Sequence, residues 1–162
     1  MSRSLSAKPR STALAAEAAR VVAASTAARD GRPAVLAAVV ATEEIDALIY
    51  MEQLLKQAAT AGLAVKKISL AATASEAEIS ATLQRLSDDP DVAGIILQSP
   101  LPSGVDRARV VAAIDPQKDV DGATAVNAAR LTAGDLDGTL LPATAAAVME
   151  LLRAHEIPLR DQ

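Results

Sequence analysis

Three places in this 162-residue chain hold side chains that could do chemistry. The first is Gln98-Ser99-Pro100-Leu101-Pro102, where two prolines leave few backbone donors and make a stiff apolar wall with one amide at its mouth. A rigid connection between two elements would have the same composition. The second is Asp115-Pro116-Gln117-Lys118-Asp119-Val120-Asp121-Gly122. Asp119 and Asp121 flank one valine, so in an extended segment both carboxylates point the same way and could meet one ligand. A solvated turn is the plainer alternative. As a metal site the pair lacks a third ligand, because the single histidine, His155, lies on a distant helix, so no metal is expected. The third place is Tyr50, the only aromatic residue of the chain, one helical turn before Leu54. A lone tyrosine on a helix more often packs than binds.

These residues need elements to position them, and the hydrophobic pattern supplies candidates. Residues 12–29 place Leu14, Ala18, Val21, Val22 and Ser25 at helical spacing, with Gly31 and Pro33 as a stop. Residues 34–40 form a continuous apolar run, as a strand covered on both faces would. A helix from about Asp46 aligns Leu48, Met51, Leu55 and Ala58 and stops at Gly62. Residues 64–70 are a second strand. Ser75 and Glu78 make a capping box for a helix carrying Ile79, Leu83 and Leu86, and a third strand covers 92–97. Three shorter helices follow, around Val110–Val111, over 125–131, and around Val148–Leu152. Helices alternating with buried strands predict an α/β three-layer sandwich with a mostly parallel sheet. In such sheets ligands bind beyond the carboxyl ends of the strands, which is where the 98–102 segment must lie.

Composition narrows the possibilities further. Hydrophobic residues make up 51% of the chain without Phe or Trp, so the core must be Ala, Val, Leu and Ile. The absence of cysteine excludes disulfides and thiolate metal sites and suits a reducing, cytoplasmic compartment. A net charge of −4 favours neither nucleic acid nor membrane as partner. No segment is long and apolar enough to span a bilayer. Residues 1–10 read as a flexible basic tail and 11–162 as one domain.

The order and spacing of the three candidate places match a known family. "GIILQSPLPSGVD" followed by "VVAAIDPQKDVDGATAVNAARL" resembles the bifunctional methylenetetrahydrofolate dehydrogenase/methenyltetrahydrofolate cyclohydrolases. The family pattern there runs Gly-Ile-x-Val-Gln-Leu-Pro-Leu-Pro, then Asp-Pro-x-Lys-Asp-Val-Asp-Gly-Phe, then Val-Asn-x-Gly-x-Leu. The resemblance implies the folate-binding catalytic domain of that family, acting in one-carbon metabolism, with roles for particular residues. Tyr50 would stack on the flat part of a folate. Asp121 would accept from the pterin's amino and ring N–H groups. Gln98 would help orient the catalytic lysine, while Pro100 and Leu101 would line the aminobenzoyl group.

Departures from the family pattern fall on the same pocket. The family helix reads Tyr-x-x-x-Lys, but four residues after Tyr50 stands Leu54. Lys56 is no replacement, being rotated by about 200° around the helix. The Gly-Asp-x-Pro-x-Ser approach to the tyrosine is replaced by Thr42-Glu43-Glu44-Ile45-Asp46-Ala47. A leucine is replaced by Ser99, and the Phe-His-Pro after the aspartate loop by Ala123-Thr124-Ala125. No glycine pair is spaced as in the G-x-G-x-x-G turn of a dinucleotide site, so no nucleotide-binding domain and no bound cofactor are expected. The leading expectation is a domain that binds a tetrahydrofolate derivative with its usual catalysis weak or lost. Two alternatives stand beside it. One is an enzyme acting on a methenyl- or methylene-tetrahydrofolate-like substrate without the lysine. The other is a structural or subunit-pairing module. The family is dimeric, which implies a homodimer or pairing with a full-length relative.

Overall fold

Strand β1 (Val35–Val40) is buried from Leu36 onward, and its residues alternate between two separate cores. Ala37 and Val39 face one side, while Leu36, Ala38 and Val40 face the other. This alternation follows from the two-residue period of a strand and requires helices on both faces. The computed structural model, which describes residues 5–159, provides them. Helix α2 (Ile45–Thr60) brings Met51 and Leu55 onto the Leu36 side. Helices α3 (Glu76–Asp88) and α4 (Arg107–Val111) bring Ile79, Leu83, Leu86, Val110 and Val111 onto the Ala37 side.

Strand β1 is the centre of a parallel three-stranded sheet ordered β2-β1-β3, with β2 at Ala64–Ser69 and β3 at Val92–Leu97. The two-sided core and parallel order are the expected three-layer α/β arrangement. Strand β3 has the predicted bounds, and the capping box starts α3, where Ser75 Oγ accepts from the Glu78 N–H. The outer strand β2 is exposed along most of its length; Lys66 and Lys67 at that edge discourage pairing with another strand.

Helices α1 (Lys8–Ala28), α5 (Ala125–Ala133) and α6 (Ala143–Ala154) lie outside this core. Neither α1 nor α6 buries a residue, and Leu14, Val21 and Val148 are exposed. Arg10 Nη2 and Glu150 Oε2, 2.6 Å apart, tie these two helices together. Helix α1 begins earlier than its apolar spacing indicates, so Lys8–Arg10 of the expected tail are helical. Pro9 sits in the first turn, where a missing N–H leaves no bond unmade. Residues 1–4 of that expected tail are outside the described residues.

Candidate functional site

Beyond the carboxyl end of β3 the chain enters the proline segment through a cis Ser99–Pro100 peptide. Gln98 stays in register by donating its backbone N–H to the Val39 carbonyl, and its side-chain amide donates to the Ser99 carbonyl at 2.8 Å. Leu101, expected in the ligand wall, packs against the α3–α4 core, with Pro100 half-buried beside it.

The 115–124 segment is fixed to the far edge of β3. Ile95 donates its N–H to the Lys118 carbonyl at 2.7 Å and forms an isolated parallel bridge with Asp119. Val120 then turns into the α2-side core. Gly94 makes room for it, since a Cβ there would lie 2.6 Å from Val120 Cγ1. Lys118 donates from Nζ to the Ser87 and Asp89 carbonyls at 2.6 and 2.7 Å, satisfying acceptors at the end of α3. It is therefore an anchor, turned away from any ligand.

The two aspartates do not act as a pair. The expectation that they point one way assumed an extended segment, and this one is turned, with the Gly122 N–H donating to the Asp119 carbonyl. Asp119 is 1% exposed and accepts from the N–H groups of Ala123 and Thr124 and from Asn127 Nδ2, at 3.0, 2.8 and 3.0 Å. Burial pushes its carboxyl up, but these donors, with the Thr124 side chain, outweigh burial and hold it below its ordinary 3.8. Asp121 is half-buried with its carboxyl raised, first by burial and then by the negative charge of Asp119, against the opposing pull of Arg107. Its backbone carbonyl accepts from the Ala143 N–H at the start of α6. Gly122 permits that contact: its φ is +61°, and a Cβ would lie 2.5 Å from the Leu141 carbonyl carbon and the Pro142 nitrogen.

Helix α2 contributes the remaining candidates. Tyr50 is 58% exposed and, among the described residues, makes no side-chain hydrogen bond. Leu54, one turn further on, is half-buried against the core that also takes Val120. Lys56 borders a recess between α1 and α2, with Ser11 and Thr12. No hydrogen bond links Tyr50, Gln98 and Asp121 to one another among the described residues: Gln98 follows the end of β3, Tyr50 lies in α2, and Asp121 lies in the loop along the far edge of β3. Among the described residues no three His, Asp or Glu side chains gather as metal ligands. Sequence reading passed over Arg107, whose guanidinium reaches the carboxyl end of β3 from α4; its signal was only a charged residue eight positions after Ser99.

A parallel sheet covered by helices on both faces, with a proline-rich turn beyond β3, is of the α/β class in which small molecules bind past the carboxyl ends of the strands. The model of the tetrahydrofolate dehydrogenase/cyclohydrolase catalytic domain matches residues 5–121, and the chain belongs to that family. Bifunctional protein FolD 1 of Saccharopolyspora erythraea is 48% identical over 124 residues, which are 76% of this chain and 42% of that protein. FolD 1 of Paenarthrobacter aurescens is 41% identical over 130 residues, covering 80% and 44%. The chain thus spans less than half the length of these relatives. The 5,10-methylenetetrahydrofolate dehydrogenase of the silkworm Bombyx mori superposes with a TM-score of 0.87 at 27% identity, over 97% of this chain and 53% of that one. The Trypanosoma brucei dehydrogenase-cyclohydrolase FolD, solved with NADP and an inhibitor, gives 0.87 at 26%, over 96% and 52%.

A dinucleotide finds no cradle in the strand-to-helix turns of the described residues. The turn after β1 is Thr42-Glu43-Glu44, whose carboxylates repel a pyrophosphate, and the turn after β3 is closed by prolines. The turns after β1 and β2 contain no glycine, and the turn after β3 has Gly104 alone, not the spaced glycines that let phosphates approach a helix N-terminus.

Proposed function

We propose that this domain binds a reduced folate carrying a one-carbon unit, and that the chain does not itself hold NADP. Asp121 carries the reading: among the described residues it is the one carboxylate of the aspartate loop left without a hydrogen-bond donor, and it is half-buried. A carboxylate so placed suits the two adjacent N–H donors of a pterin, and Tyr50 offers a face for the flat ring. Gln98 and Pro100 border the rim beyond the carboxyl end of β3. Leu54 stands where the family pattern has lysine, and an apolar side chain cannot position water or counter developing charge. Hydrolysis of methenyltetrahydrofolate is accordingly near background.

Calorimetric titration with 5-formyltetrahydrofolate tests the binding. The expected result is saturable binding by the wild-type chain that is lost in Asp121→Asn. A folded protein that takes up no heat at millimolar ligand would overturn it. Wild-type hydrolysis at rates ordinary for this family would instead overturn the catalytic part alone.

Two further features belong to this reading. The chain pairs with itself or with a longer relative, supported by the uncovered apolar side chains of α1 and α6. A strict monomer in sedimentation at high concentration, with no binding to such a relative, would count against that. Residence in the cytoplasm is supported by the cysteine-free composition and tested by fractionation. No helix of the described residues is long and apolar enough to cross a membrane.

A further inference from the structure

Arg107 opens α4, and its guanidinium turns back over the end of β3. Nη1 donates to the Leu97 carbonyl at 3.2 Å and to Ser99 Oγ at 3.0 Å. The side chain is half-buried, so its charge is only partly screened by water. The Leu97 carbonyl and the Ile95 N–H both point to the edge of β3 away from β1, where Ile95 holds the aspartate loop through the Lys118 carbonyl and the Asp119 bridge. Arg107 and the aspartate loop therefore share one edge of this short strand end. We propose that Arg107 is a positioning residue of this site, holding the 98–102 segment through Ser99 and setting a fixed cation opposite Asp121; this rests on the folate reading above.

The chemistry of the two groups supports the assignment. Asp121 must be ionised to accept from a ligand's N–H groups, yet burial and the neighbouring Asp119 charge both favour its protonated form. Arg107 is the cation that opposes them. Its surroundings offer no substitute. The first turn of α6, against the Asp121 backbone, has no charged side chain, and Lys118 of the same loop is tied to the Ser87 and Asp89 carbonyls. One nitrogen, Nη1, serves the carbonyl and the hydroxyl together, so an ammonium placed there keeps both the charge and the donors.

The sign of the pH effect follows. The ionised fraction of Asp121 falls as pH drops through its raised pKa, and removing Arg107 starts that fall at a higher pH. The test follows the Asp121 carboxyl carbon by NMR through an acid titration of wild type, Arg107→Gln, Arg107→Met and Arg107→Lys. It is paired with 5-formyltetrahydrofolate affinity measured across the same pH range. The midpoint is expected to rise in Arg107→Gln and Arg107→Met and to return toward wild type in Arg107→Lys. The acid limb of binding should move the same way, leaving the neutral variants several-fold weaker than wild type at mildly acidic pH. Met preserves the packing of the arginine stem, so it decides the matter if the Gln variant folds poorly. An Asp121 midpoint equal in wild type and the neutral variants overturns the proposal, including the case where melting temperature alone falls. If the wild-type chain binds no folate at any pH, the folate reading fails while the carboxyl titration still decides the role of Arg107.

Discussion

The aspartate loop and helix α2 pack on one core, yet they are held in different ways. In the loop nearly every polar group is used by the protein itself. Lys118 closes the end of α3, Asp119 gathers three donors, and Asn127 Nδ2 bonds both Asp119 and the Pro116 carbonyl. On α2, Tyr50 is bonded to nothing described, and Leu54 contributes only packing. A sequence motif can thus persist because it folds a loop, while the side chains that would meet a ligand cost the fold little when they change.

Substitutions on the two sides can break that contrast or sharpen it. The largest effect is expected at Gly122→Ala, which adds left-handed strain to a clash with the Leu141–Pro142 backbone. It should cost about 3–5 kcal/mol in urea unfolding. A loss under about 1 kcal/mol would mean that the loop is not seated against α6. Asp119→Ala comes next, stripping three donors of their acceptor at a cost of about 3 kcal/mol near neutral pH. Because the folded-state carboxyl lies below 3.8, its stabilisation is present above that pH and fades as pH falls through the depressed value. Unfolding of wild type and variant at pH 7 and in acid should therefore show the gap narrowing in acid. A constant gap would show that the charge plays no part.

On the helix side the effects shrink. Leu54→Lys should cost about 1–2 kcal/mol, since a half-buried lysine can lay its stem on the core and carry its ammonium to the rim. If the rim still binds folate, the same variant should gain measurable methenyltetrahydrofolate hydrolysis. A protein that unfolds without gaining activity would show that position 54 is purely core. Tyr50→Ala should change stability by no more than about 0.5 kcal/mol, as expected for an exposed site without partners. Its effect should appear in 5-formyltetrahydrofolate binding, weakened about tenfold by the lost aromatic face. A melting temperature that falls sharply with unchanged affinity would reverse the assignment of Tyr50.

Much of the fold is legible in the chain because it rests on local patterns. The unbroken apolar run at 34–40 has few stable homes other than a strand covered on both faces, and Ser75 with Glu78 marks a helix start wherever it occurs. The Gln98 and Asp115 motifs locate the rim by the same logic, because each follows or flanks a strand end. The destiny of single side chains is another matter. Asp119 and Asp121 are identical in type and separated by one residue, and only the turn between them buries one among donors and leaves the other without a donor among the described residues. Leu101 joins the α3–α4 core, and Arg107 reaches the rim from another helix. These outcomes depend on which atoms distant segments bring within a few ångströms. Spacing along the chain carries no record of such contacts; they exist once β1, α2, α4 and the aspartate loop are packed together.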